Sequence, residues 1–267
     1  RDAGSGEVRA RYAHLFVLDA DGVTVPARLV AMEGTIRVWV EDAGARYPIV
    51  VDPLVVTTEA TLLASGAATG DQLGNAVAFS SDGTRAIVGA WQDTVAGANI
   101  GTARIFVRAG STWTEETTLQ PGYPVGAGND RFGCAVALSA DGGRALVGAY
   151  LHDTATGADV GDAQVFLRTG TSWAREATLV PTAPASGDYF GRGVALSADA
   201  SRAFVGASND DTLAGSDAGS VRVYQRSGST WTEETVLLAP DAIATEYLGA
   251  SVSVSGDATR LLARTSS

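Results

Sequence analysis

The chain is built on a period, and the period limits what it can fold into. A glycine recurs at Gly74, Gly133, Gly191 and Gly249, at spacings of 59, 58 and 58 residues. A second recurs at Gly89, Gly148 and Gly206, spaced by 59 and 58, and Trp113, Trp173 and Trp231 are spaced by 60 and 58. Three independent markers on one period define tandem units of about 58 residues. In the unit that opens at Asp130, four short apolar runs alternate with turn chemistry such as Asp141-Gly142 and Thr169–Ser172.

Within a unit the patterning is that of strands. The first run places Val77 and Phe79, Val136 and Leu138, Val194 and Leu196, and Val252 and Val254 on one face. The other face carries Ala78, Ala137, Ala195 and Ser253. A large face and a small one let packed sheets approach closely. The second and third runs are continuously apolar, as strands covered on both faces are. The fourth carries Glu115, Glu116, Arg175 and Glu176, which reads as the solvated edge whose charges oppose edge-to-edge pairing. Four antiparallel strands graded in burial in this way make the blade of a β-propeller. The expected fold is therefore all-β, with blades at about 71–119, 130–179 and 188–238 and a partial blade at 248–263. Glu59–Leu62 matches Glu116–Leu119, Glu176–Leu179 and Glu234–Leu237, so a fourth strand is expected ahead of the first blade, within a repeat region spanning 57–267.

Residues 1–56 lie outside the repeat and read as a small β module. Asp19-Ala20-Asp21-Gly22, between the runs Arg9–Leu18 and Val23–Ala31, predicts a hairpin. The same tetrapeptide could open a calcium loop, but no later acidic residue completes it. Ile36, Val38 and Val40 alternate with Arg37 and Trp39 as a half-buried strand, and Pro48 and Pro53 place a strand edge or end at Tyr47–Pro53.

Composition narrows the partners. A net charge of -11 disfavours nucleic acid and anionic membrane surfaces, because phosphate binding needs the opposite sign. No apolar run is long enough for membrane insertion. The single cysteine, Cys134, has no intrachain disulfide partner.

With the repeat in register, the unit resembles the FG-GAP repeat of integrin α-subunit propellers. The Phe-Gly position is Leu73-Gly74, Phe132-Gly133, Phe190-Gly191 and Leu248-Gly249. The Gly-Ala-Pro position is Gly89-Ala90-Trp91, Gly148-Ala149-Tyr150 and Gly206-Ala207-Ser208, with no proline in third place. The resemblance covers residues 59–263 and implies part of a seven-bladed propeller of bacterial surface or secreted type, extracellular or on the cell surface, with an adhesive role. Residues 1–56 look like the β module that precedes such repeats in bacterial surface proteins. The chain begins without Met and stops mid-pattern, so it is expected to be a piece of a longer array, with an open edge at Ala250–Ala263 that favours self-association. Integrin-type propellers hold calcium in the first hairpin through Asp-x-Asp-x-Asp-Gly. Here Ser80–Gly83, Ser139–Gly142, Ser197–Ala200 and Ser255–Ala258 keep one aspartate each, which plain turns explain. No cofactor is expected, and calcium, were it bound, would fall to the loop aspartates.

Strand parity puts the short 1–2 and 3–4 turns at one end of the blades and the long 2–3 and 4–1 loops at the other. Long loops on a rigid scaffold are where binding resides. The candidate ligand contacts are Trp91, Asp93, Tyr150, His152, Asp153, Asp210 and Asp211. Trp91 and Tyr150, followed by Ser208 in the same place, stand out because the repeat does not require them. Asp93-Thr94, Asp153-Thr154 and Asp211-Thr212 also suit side-chain-to-backbone turns. Trp113, Trp173 and Trp231 open every fourth strand, which favours packing between blades over sugar stacking. Catalytic residues are not expected. The two histidines are His14 and His152, no nucleophile elbow or phosphate loop occurs, and the adjacent pairs Glu115-Glu116 and Asp210-Asp211 are not a converging acid and base. The leading expectation is a non-enzymatic module that binds a protein or polysaccharide. The alternatives are a structural spacer and a polysaccharide hydrolase or lyase.

Overall fold

The computed structural model describes residues 11–32, 35–56, 60–122, 128–240 and 243–265, with side chains described except at 11–16, 29–37 and 50–56. Every described element is a strand, and the chain divides into two compact units, Arg1–Thr61 and Leu62–Ser267.

In the first unit β1 (Arg11–Leu18), β2 (Ala27–Met32), β3 (Thr35–Val40) and β4 (Val50–Val56) form two antiparallel pairs, β1 with β4 and β2 with β3. The turn at Asp19–Gly22 is present, because Asp19 Oδ1 accepts the amides of Asp21 and Val23 at 3.0 and 2.9 Å. The predicted hairpin is short: the Asp19 amide donates to the Val23 carbonyl at 3.0 Å and the Val25 amide to the Val17 carbonyl at 2.8 Å. Only Thr24 bridges back to Leu18, and Pro26 offers no amide to carry the ladder further. Trp39 is exposed, as the alternation expects, but Val38 on the opposite face is 37% exposed, so β3 is less covered than expected. The side chains of His14, Ile36 and Arg37 and the whole of Glu59 lie outside the described residues.

The second unit holds the blades. The first consists of β5 (Leu73–Phe79), β6 (Arg85–Ala90), a short hairpin β7 (Thr94–Val95) and β8 (Ala98–Asn99) in the 2–3 loop, then β9 (Thr102–Ala109) and β10 (Thr112–Leu119). The second is β11 (Val136–Leu138), β12 (Arg144–Ala149), β13 (Asp162–Thr169) and β14 (Ser172–Leu179). The third is β15 (Phe190–Leu196), β16 (Arg202–Ala207), β17 (Ser220–Ser227) and β18 (Thr230–Leu237). In each blade neighbouring strands pair in sequence order and antiparallel. A two-stranded sheet, β19 (Ser251–Val254) with β20 (Leu261–Arg264), follows. First strands of successive blades touch, so they lie innermost around a common channel.

The core lies between blades rather than inside one. Val136 and Leu138 of the second blade bury against Ile87, Ile105 and Leu119 of the first, with Ala76 and Ala78 closing over them. Val194 and Leu196 repeat this against Leu146, Val165 and Ala137. The large face of one first strand thus meets the small face of its neighbour. The two glycine markers explain each other here. A Cβ on Gly89 would lie 2.0 Å from the carbonyl oxygen of Gly133, on Gly148 1.9 Å from that of Gly191, and on Gly206 2.0 Å from that of Gly249. The period in the sequence is the contact of backbone on backbone from blade to blade.

The fourth strands correct an expectation. Their register slips once in each blade, leaving Glu116, Glu176 and Glu234 as the extra residue of a β-bulge. A bulge re-aims a side chain. Glu116 accepts Trp173 Nε1 at 2.9 Å and Arg168 Nη2 at 3.2 Å from the next blade, besides Arg85 of its own. Glu176 accepts Trp231 Nε1 at 3.2 Å and Arg144 Nη2 at 2.9 Å. These two glutamates are buried staples between blades, not solvated edge charges, and the tryptophans pack between blades as expected.

Residues 60–65 form no strand, unlike the expected fourth strand there. They still sit where one would. Leu62 packs with Ala86, Val88, Phe106 and Trp113 as Leu119 packs with Ala145, Val147, Phe166 and Trp173. The Ser65 amide donates to Glu115 Oε2 as that of Thr182 donates to Glu233 Oε2. On the face that would meet a preceding first strand, Val77 and Phe79 are 58% and 56% exposed.

Candidate functional site

The two ends of the blades are stitched differently. At the short-turn end one backbone bond per interface links the 1–2 turns, from the amides of Ser81, Ala140 and Ala198 to the carbonyls of Ala140, Ala198 and Gly256. Within each turn the aspartate is engaged by its own neighbours, as Ser139 Oγ and the Gly143 amide donate to Asp141 Oδ1. Such bonds hold Asp82 and Asp199 down to about 2. At the other end the amides of Phe132, Phe190 and Leu248 donate to the carbonyls of Ile100, Val160 and Ala218. Each 2–3 loop is thereby fixed to the 4–1 connection entering the next blade, although 123–127 of the first such connection lie outside the described residues.

Beneath the loops each blade buries a charged constellation. In the first, Asp93 Oδ2 accepts Thr102 Oγ1 at 2.6 Å and Arg104 Nη2 at 2.8 Å, and Arg104 Nη1 also donates to Glu115 at 3.0 Å. The third blade repeats it with Asp210, Ser220, Arg222 and Glu233. In the second blade the same places hold His152, Asp162, Gln164 and Arg175. His152 Nδ1 lies 3.2 Å from Asp162 Oδ2, which also accepts Gln164 Nε2 at 3.2 Å. The acid has moved from the loop to the third strand, and the arginine to the fourth. Asp93 is therefore the counterpart of His152 and Asp210, not of Asp153 and Asp211, because the first loop is one residue shorter. The turn reading fails for Asp93 on that account. It describes Asp153 and Asp211, whose Oδ1 atoms accept the amides of Asp159 and Asp217 at 2.9 and 3.0 Å.

Sequence reasoning passed over Asp71, Asp130 and Asp188, which precede the first three Phe-Gly positions by two residues and are buried. Burial, reinforced by neighbouring acids, holds Asp130 and Asp188 above the usual carboxylate range, while the His152 side chain works against it at Asp130 and the Ala185 amide against it at Asp188. Among the described residues no group of three or more acidic, His or Cys side chains could hold a metal ion.

Trp91 and Tyr150 meet at the axis. With Asn75, Cys134, Arg192 and Ala250 they line a cavity of about 220 Å³ at the loop end of the channel between the first strands. Each aromatic is paired with a residue from the next blade. The Arg131 guanidinium sits 3.7 Å from the centre of the Trp91 ring, and Tyr189 meets Tyr150 edge-on at 5.6 Å. Arg131 and Tyr189 occupy one repeat position, with Gln72 and Tyr247, and all four have left-handed backbones at φ of 55 to 63°. That conformation is costly for side-chain-bearing residues and clusters at functional places. The signal available in the sequence was the variable residue inside the fixed Asp/Glu-x-Phe/Leu-Gly frame. Burial pushes the Cys134 thiol up to about 12, and it donates weakly to the Gly148 and Gly191 carbonyls at 3.4 and 3.5 Å. A protonated thiol is no nucleophile.

The FG-GAP repeat profile matches residues 56–106, 113–166 and 173–224, more than half of the chain. The chain belongs to the FG-GAP repeat family. The second and third matches begin in a fourth strand and end within the third strand of the next blade, so they straddle the interblade contact. No curated protein sequence matches the chain. Among solved structures, a Bacteroides fragilis protein provisionally assigned as a 6-phosphogluconolactonase is similar at 15% identity and a TM-score of 0.42. The match covers 63% of this chain and 40% of that one. Among the described residues no helix is long and apolar enough to cross a membrane.

Proposed function

We propose that this FG-GAP chain is a non-enzymatic binding module, extracellular or on the cell surface, which offers its loop end to a protein or polysaccharide. The observation that carries this is that Trp91, Tyr150 and Arg192 line one cavity at the loop end, with Arg131 and Tyr189 packed on the two aromatic rings. The loop carboxylates support a scaffold role rather than catalysis. Asp93 and Asp210 are tied to arginines, and Asp153 and Asp211 cap their own loops. Leu213, at the tip of a 2–3 loop, is fully exposed and adds apolar contact surface. The test is a screen of the purified chain against polysaccharides and extracellular matrix proteins. Saturable binding to a member of the panel is expected. Silence across it would favour a spacer, and turnover of a polysaccharide would make the protein an enzyme.

A further inference from the structure

The binding role just proposed leaves open what the axial mouth takes, and the inference drawn here rests on that role. The chain carries 30 acidic residues against 19 basic ones. Arg85, Arg104, Arg144, Arg168, Arg202 and Arg222 are each paired with a carboxylate. Among the described residues neither Arg131 nor Arg192 has a carboxylate partner, and Arg192 lines the mouth. The Arg131 Nη1 donates to the Gln92 side-chain oxygen at 3.0 Å, with that amide in its hydrogen-bonding orientation, and its buried Nε has no partner among the described residues. Arg192 is exposed and lies 5.4 Å from the centre of the Tyr150 ring. Among the described residues no carboxylate lines the mouth. Arg192, exposed on the lining of an opening in an acidic protein, is suited to an incoming carboxylate, while Arg131 is held against the Trp91 ring.

The surroundings say what kind of molecule carries that carboxylate. Asn75 lines the mouth with its amide nitrogen donating to the Cys134 carbonyl at 3.2 Å, and Trp91 Nε1 is buried without an acceptor among the described residues. Burial raises the Tyr150 hydroxyl, against the pull of Arg131 and Arg192, so it remains a donor at neutral pH. Neutral polar groups beside the Arg192 cation match a ring that bears hydroxyls next to its acid group. An acidic peptide side chain would leave them unused. The volume of about 220 Å³ falls below that of drug-sized pockets and suits a single ring. The geometry points to a site for a carboxylate-bearing saccharide unit, held by Arg192 beside Trp91 and Tyr150.

The test is calorimetric titration of the 267-residue chain with hexagalacturonate, hexamannuronate and a hyaluronan hexasaccharide, using cellohexaose and hexaglutamate as neutral and peptide controls. Saturable binding is expected for at least one uronate and for neither control. Arg192→Ala should weaken it about tenfold, the equivalent of one charge-assisted contact, and Arg192→Lys should do so less. Since Arg192 is exposed, both variants should melt like the parent. Equal binding of hexaglutamate, or unchanged uronate affinity in Arg192→Ala, would overturn the saccharide site. Failure of every uronate while another member of the wider panel binds would overturn it too, yet leave the binding role standing. Silence from the whole panel would remove both.

Discussion

Gly148 has no room for a side chain, since its missing Cβ would stand 1.9 Å from the Gly191 carbonyl. Gly148→Ala must therefore push two blades apart, and we expect it to lower stability by about 3 kcal/mol. Gly170→Ala, in an open turn where only a φ of 64° is strained, should lose about 1 kcal/mol. Urea unfolding of the two variants checks the order. At Cys134, burial keeps the thiol protonated up to about 12. An aromatic disulfide reagent should leave it untouched in the native protein at pH 8 and titrate one thiol after unfolding. The glycines were legible as markers from their spacing alone. Their partners were not, because the contact joins blades and leaves no local pattern. Arg131, Tyr189 and Arg192 were missed for a related reason: the repeat leaves their positions variable, and only the fold shows that those positions converge.

The fourth strand shows how one inserted residue changes an element's role. Alternation makes Glu116 and Glu176 look like edge charges, yet the bulge turns them onto Trp173, Arg168 and Trp231 of the following blade. A bulge alters direction without altering composition, so the sequence patterning could not reveal it. Trp173→Ala should cost about 3–5 kcal/mol for the lost interblade packing. Trp173→Phe should cost about 1 kcal/mol, since Glu116 keeps Arg85 and Arg168. The staples also set a pH dependence. Burial alone would raise Glu116 and Glu176, but their tryptophan and arginine donors bring both below the usual carboxylate range. Their stabilisation is therefore complete above the unfolded carboxylate value near 4.3 and is lost as pH falls through the lower folded value. Melting temperature should drop across that acid window, and Glu176→Gln should shrink the drop. The strands themselves were readable, because apolar alternation and Asp-Gly or Ser-rich turns bound each one. The Asp19–Gly22 hairpin closes with one bridge only, because a local turn signal does not choose the strand that carries the longer pairing.

On the scale of the whole molecule, the repeat makes an array whose two outer faces differ. Val77 and Phe79 are exposed at one end, and β20 pairs only with β19 at the other, with Leu262 76% exposed. We propose that these faces drive self-association, seen as concentration-dependent sedimentation that Phe79→Arg with Leu262→Arg reduces. A monomer at all concentrations would count against it. The central claim is that the loop end, and not the turn end, meets the partner. A bulky polymer attached at Leu213→Cys would shade the loops, and one at Thr171→Cys the 3–4 turns, with the inert Cys134 thiol left unlabelled. Affinity for the partner found in the panel should be abolished by the first label and unchanged by the second. Loss of binding with the Thr171 label alone would contradict the account.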